Sequence, residues 1–222
     1  MGKLFLSGGG SAEQTVTIDR IFVSEIERER PLLYLPIAMD AADYKDCFRW
    51  INDTFNPLGI NEVVLWTNVH KKRVEDLNDF SAIYIGGGNT FILLKRIMES
   101  KFDKVLKSYL DDGGVVYGGS AGAIIFGNNI MTSAHLDSNT VKVNNFKGIG
   151  MVGNYSVWCH FKKDNDHLIN RFVEEYDSSV IALPEETAIF INGSETKVIG
   201  TEPAYIFTEK GLKTISIGDF SL

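Results

Sequence analysis

The sequence predicts a doubly wound α/β fold with a mainly parallel sheet and β-hairpins added towards the C-terminus. Three observations carry this. Short apolar runs alternate with amphipathic helical stretches over the first two thirds of the chain. Three glycine clusters, Gly8-Gly9-Gly10, Gly86-Gly87-Gly88 and Gly118-Gly119-Ser120-Ala121-Gly122, stand where apolar runs end. Beyond residue 176 the pattern becomes closely spaced strands with turns at Asn192-Gly193 and Lys210-Gly211. Strand–helix alternation builds βαβ units, hence a parallel sheet with helices on both faces.

Taken in order, residues 3–7, 32–36, 63–66, 82–85 and 115–117 are apolar runs short enough for buried strands, several closed by Gly or Pro. Tyr44, Phe48, Ile51 and Phe55 fall on one helical face, as do Phe102, Val105, Leu106, Tyr109 and Leu110, with Gly113 as a terminator after Asp111-Asp112. The spacing of Leu168, Ile169, Phe172, Val173 and Tyr176 predicts a helix over 166–176. Strands are predicted at 180–183, 188–191, 198–200, 204–208 and 212–217. No repeat, low-complexity tract or polar linker divides the chain, so residues 1–222 read as a single domain.

Composition narrows the functional classes. Hydrophobic residues at 44% and charged residues at 23% are those of a globular chain rather than a disordered one. A formal net charge of −7 repels phosphate backbones, so nucleic acid is not an expected partner. No apolar run approaches the ~18 residues of a membrane span, and the opening stretch before Gly8 is too short for a signal peptide. Cys47 and Cys159 are far apart and form no CxxC, which predicts a reduced, cytoplasmic protein. No HExxH or clustered Cys/His spacing suggests a metal. A dinucleotide fingerprint fails because its third glycine would be Glu13 or Phe91, and no P-loop is present. Neither a metal nor a cofactor is therefore expected.

The third glycine cluster carries a nucleophile. Gly118-Gly119-Ser120-Ala121-Gly122 satisfies G-x-S-x-G, directly after an apolar run and before a helical run starting at Ala121. A serine on such a strand-to-helix turn projects above the sheet edge, with free N–H groups behind it for a developing oxyanion. Gly88, on a separate glycine loop, and Ala121 are the expected backbone donors. Asn89 is equally a helix cap or a substrate contact. The serine needs a base. Of four histidines, His70 and His167 read as exposed, whereas His160, ending the run 155–159, is preferred over His135. Glu185, at the end of the run 180–184, and Asp137 are the candidate orienting carboxylates, and spacing does not choose between them. Glu186 is expected to point away from Glu185.

Four blocks, Gly86-Gly87-Gly88-Asn89-Thr90-Phe91, Gly118-Gly119-Ser120-Ala121-Gly122-Ala123, Cys159-His160-Phe161 and Leu183-Pro184-Glu185, together resemble peptidase E, the aspartyl dipeptidase family that includes the cyanophycinases. The resemblance implies a fold similar to class I glutamine amidotransferases, with Ser120 as nucleophile, His160 as base and Glu185 as acid. It implies a serine peptidase acting on short peptides through an acyl-enzyme. A cyanophycinase-like isopeptide or amide hydrolase and a silent binding protein on the same scaffold are the alternatives. The family's aspartate, after the nucleophile helix, corresponds to His135, leaving Asp137 two residues on as the weaker acid. The dipeptidases hold the substrate aspartyl group with an arginine. Here Lys162, Lys163 and Arg171 are the available cations and none matches cleanly, so preference for N-terminal aspartate does not carry over.

Overall fold

The computed structural model describes residues 2–221. The chain runs β1 (Lys3–Ser7), α1 (Ala12–Ser24), β2 (Leu32–Leu35), α2 (Tyr44–Phe55), β3 (Val63–Leu65), β4 (Ala82–Ile85), α3 (Thr90–Glu99), α4 (Phe102–Asp111) and β5 (Val115–Gly119). It continues through α5 (Ala121–Ile124), β6 (Tyr155–Trp158), α6 (Asp166–Tyr176), β7 (Ser179–Ala182), β8 (Thr187–Asn192), β9 (Glu195–Gly200), β10 (Ala204–Thr208), β11 (Gly211–Ile215) and β12 (Gly218–Phe220).

An eight-stranded sheet has the order β12-β9-β8-β1-β5-β4-β2-β3. Strands β1, β5, β4, β2 and β3 pair in parallel, whereas β8 lies antiparallel to β1 and β9 to β8. Side-chain alternation divides the core between its faces. Leu4, Leu6, Leu33, Leu35, Ile83, Ile85 and Val116 pack under α3, α4 and α5. Phe5, Leu32, Tyr34, Tyr84, Val115 and Tyr117 pack under α1 and α2. This is the doubly wound, mainly parallel arrangement the alternation predicts.

A second sheet, β11-β10-β7-β6, holds the other strands and packs α6 through Trp158, Val180, Phe207, Ile169 and Phe172. At the carboxyl end of β1, Gly8 N–H donates to Thr187 O of β8 within the large sheet at 2.9 Å, and Gly8 O accepts from His160 N–H at 3.0 Å, which ties the end of β6 in the second sheet to the first.

Three local expectations change. The predicted strand 212–217 ends early, as β11 pairs with β10 only to Ile215, and a strand that was not predicted, β12, follows from Gly218 (φ 126°) and pairs with β9. The helix after Ser120 is a single turn, Ala121–Ile124; two residues on, Gly127-Asn128-Asn129 favour turn conformations. Phe48 is 40% exposed although it shares a helical face with Ile51 and Phe55. Only the C-terminal half of α2 seats in the core; its first turns overhang a cavity lined by Cys47 and Trp50. Among the described residues no helix is long and apolar enough to cross a membrane.

Candidate active site

Ser120 stands at the corner between β5 and α5 with φ 51° and ψ −114°. A β-carbon-bearing residue in such a region costs about 1–3 kcal/mol unless its surroundings enforce it. They do: Ser120 N–H donates to Ser7 O at 3.1 Å, and Ser120 O accepts from Ala123 N–H at 2.8 Å and Ile124 N–H at 3.0 Å. Gly122 allows the corner to close, since a Cβ there would collide with the Ile85 carbonyl.

His160 follows β6, likewise at positive φ (53°), and is pinned by its N–H to Gly8 O. Its Nε2 lies 2.8 Å from Ser120 Oγ and its Nδ1 2.9 Å from Glu185 Oε1. With Nδ1–H donated to the carboxylate, Nε2 is free to accept the serine proton. Gly9 (φ 97°) lies flat against the imidazole, where a Cβ would stand 2.8 Å from Nε2. Glu185 follows β7 and its carboxyl is held below the usual range, first by the hydrogen bond to His160, against partial burial, with Gln14 and Lys162 adding to the effect.

The structure thus brings Ser120, His160 and Glu185 into one hydrogen-bonded chain. Asp137 is elsewhere: its Oδ2 accepts from Thr90 N–H at 2.9 Å, at the start of α3. Asn89 caps the same helix, accepting from Ile92 N–H at 3.0 Å and donating Nδ2 to Ser138 O at 2.9 Å. Gly88 (φ 128°) lines the cavity with Ser120, as does Gly87, whose ideal Cβ position is 3.2 Å from Ser120 Cβ. The neighbouring amides are engaged: Gly86 N–H with Leu35 O and Asn89 N–H with Ala38 O. Ala121 is buried directly behind the nucleophile.

His135 stacks on Trp158 with ring centroids 4.2 Å apart, and burial lowers its pKa. His70 and His167 are exposed. Lys162 and Lys163 are exposed just after His160, and Arg171, also exposed, faces Glu175 on α6 at 3.9 Å. Buried Cys159 turns its Sγ to Ser120 O at 3.5 Å, and burial pushes its thiol well up, so it is no competing nucleophile.

Sequence reasoning missed Gln14. It donates Nε2 to Glu185 Oε2 at 2.8 Å and to Glu186 Oε1 at 2.9 Å, so Glu186 shares this amide instead of pointing away. The available signal was Ser11-x-x-Gln14, a capping-box spacing, in which Ser11 N–H donates to Gln14 Oε1 at 2.9 Å.

A cavity of about 480 Å³ opens over Ser120 and His160, lined also by Gly9, Gly10, Gly87 and Gly88, so all three glycine clusters meet there. This is the carboxyl end of the strands, where open α/β sheets bind ligands. A cavity of about 510 Å³ at the opposite end, beside the Lys3–Glu25 ion pair, does not reach the serine. Among the described residues no cluster of three His, Cys, Asp or Glu side chains is arranged to hold a metal ion.

Residues 4–199 match the family model of Peptidase family S51. Peptidase E of Pasteurella multocida (strain Pm70) is 28% identical over 160 residues, covering 68% of this chain and 67% of that protein. A probable alpha-aspartyl dipeptidase of Drosophila melanogaster is 24% identical over 195 residues, covering 82% and 78%. The fold matches a crystal structure of a peptidase from an acI-B1 Actinobacterium with a TM-score of 0.76 at 19% identity, over 100% of this chain and 97% of that one. A Listeria monocytogenes EGD-e protein superposes with a TM-score of 0.70 at 23% identity, over 91% of this chain and 100% of the other. The chain belongs to Peptidase family S51 and is a serine-type peptidase.

Proposed function

We propose that this peptidase hydrolyses short peptides through an acyl-enzyme formed on Ser120, with His160 as general base and acid and Glu185 as the orienting carboxylate. The observation that supports it is the continuous chain Ser120 Oγ to His160 Nε2 at 2.8 Å and His160 Nδ1 to Glu185 Oε1 at 2.9 Å. Ser120 Oγ attacks the peptide carbonyl as Nε2 takes its proton. The oxyanion is met by the N–H groups of Gly88 and Ala121. The C–N bond then breaks and the imidazolium protonates the leaving amine. A water molecule, deprotonated by the same nitrogen, attacks the ester and releases Ser120. Two unpaired cysteines support the reducing cytoplasm as its compartment.

The test is hydrolysis of a panel of X-Leu dipeptides with Ser120→Ala alongside, and labelling of both proteins by a fluorophosphonate. Cleavage and labelling, both lost in the variant, are expected, with a fall in rate of at least about a thousandfold. Undiminished cleavage by Ser120→Ala overturns the assignment.

A further inference from the structure

The sheet order places the two ends of the cavity on opposite sides of the nucleophile. Ser120 follows β5; on one side lies β1, whose Gly8 and Gly9 hold His160, and on the other lie β4 and then β2. In the reaction proposed above, His160 must hand its proton to the leaving amine, so the leaving residue lies on the β1 side. The residue that supplies the attacked carbonyl therefore extends the other way, towards β4, β2 and the overhanging first turns of α2.

That end is walled by Tyr34, Tyr84, Met39, Cys47 and Trp50, with Asp46 at its mouth. Tyr34, Trp50 and Tyr84 form a mutual aromatic cluster, with centroids 6.4 Å (Tyr34–Trp50), 5.7 Å (Tyr34–Tyr84) and 5.9 Å (Trp50–Tyr84) apart. No lysine or arginine is among the described residues of the wall. Arg96 is not part of this wall; it lines a separate cavity, and its Nη1 donates to the carbonyls of Ile37 and Met39 at 2.7 and 2.9 Å. A carboxylate placed here would lose its water against aromatic faces, which are themselves negative, and the one carboxylate of the lining, Asp46, is already paired with Arg49 at 3.0 Å, so that guanidinium is shared.

We infer that this site selects an uncharged, apolar or aromatic side chain on the acyl residue of its substrate and rejects aspartate there. The inference rests on the proposed acyl-enzyme reaction.

The experiment measures kcat/KM for Phe-Leu, Leu-Leu, Met-Leu, Ala-Leu, Lys-Leu and Asp-Leu. Phe-, Leu- or Met-Leu is expected to exceed both Asp-Leu and Lys-Leu by at least about tenfold. Trp50→Ala should lower the Phe-Leu value about tenfold and the Ala-Leu value by less than about threefold. Cys47→Leu, which fills the same space, should shift preference towards Ala-Leu if Trp50→Ala does not fold. Independently of turnover, a diphenyl phosphonate bearing a benzyl side chain should inactivate faster than one bearing a carboxymethyl group. Preference for Asp or Lys in either assay overturns the inference while leaving Ser120 as nucleophile. Absence of fluorophosphonate labelling overturns the reaction itself, and the inference with it.

Discussion

Gln14 Nε2 lies 2.8 Å from Glu185 Oε2, while the other oxygen of that carboxylate, Oε1, is 2.9 Å from His160 Nδ1. The amide cannot turn freely, because its Oε1 accepts from Ser11 N–H at 2.9 Å. One side chain at the start of α1 therefore fixes the plane of the carboxylate that fixes the imidazole. Glu185 is held below its ordinary pKa, so its ionised form supports the fold above the unfolded value of 4.5. That support is lost as pH falls through the lowered folded value. Gln14 acts here as a positioning residue. Gln14→Leu is expected to lower kcat about tenfold with little change in KM, and to move the acid limb of the pH–kcat profile upward. Gln14→Glu should be worse at neutral pH, since it adds a carboxylate between Glu185 and Glu186. An unchanged acid limb in Gln14→Leu would show that the contact is only structural.

Glu185 and Asp137 separate cleanly by what they touch. Glu185→Ala removes the partner of His160 Nδ1 and is expected to lower kcat by about three to four orders of magnitude. Asp137→Ala removes an acceptor from Thr90 N–H at the start of α3, a capping contact. It should cost about 1 kcal/mol of stability and leave kcat within about threefold. Parallel kcat measurements and denaturant melts on the two variants check this. A larger catalytic loss at Asp137 would reverse the roles.

The sheet was legible because its strands are short, apolar and closed by Gly or Pro, and each chain segment between them repeats a helical spacing. What lay beyond reach depended on through-space choices. Nothing in residues 204–220 announces that β10 and β11 leave the large sheet and that β12 returns to it; Gly218, at φ 126°, is the only local mark. Ser120 could be found from G-x-S-x-G because the motif is a steric requirement of one sharp corner. Spacing alone could not choose the carboxylate, although the family resemblance pointed to Glu185: the choice follows from β6 and β7 pairing in parallel, which sets His160 and Glu185 side by side beyond their carboxyl ends. Gln14 was hidden for another reason: its capping-box spacing explains the residue locally and leaves no sequence sign of its second contact, 171 positions away.

Asp19 gives the last prediction. It is 2% exposed on α1, and its Oδ2 accepts from Thr15 Oγ1 at 2.7 Å. Burial pushes its carboxyl up from 3.8 to about 6, with the Thr15 and Tyr117 hydroxyls pulling the other way. Between those two values the folded chain keeps a proton that the unfolded chain releases. Stability from this group is therefore complete below pH 3.8 and declines as pH rises to about 6. The whole decline is on the order of 3 kcal/mol. Asp19→Asn keeps an acceptor for Thr15 and carries no charge. Its stability relative to wild type should be near zero at pH 4 and rise to between about 1 and 3 kcal/mol in its favour at pH 7.5. Urea melts of both proteins at pH 4, 5, 6 and 7.5 read the difference directly, with the slopes from other carboxylates cancelling. A flat difference across that range would mean that Asp19 is ionised in the folded protein throughout, and that water or Tyr117 satisfies it better than its burial suggests.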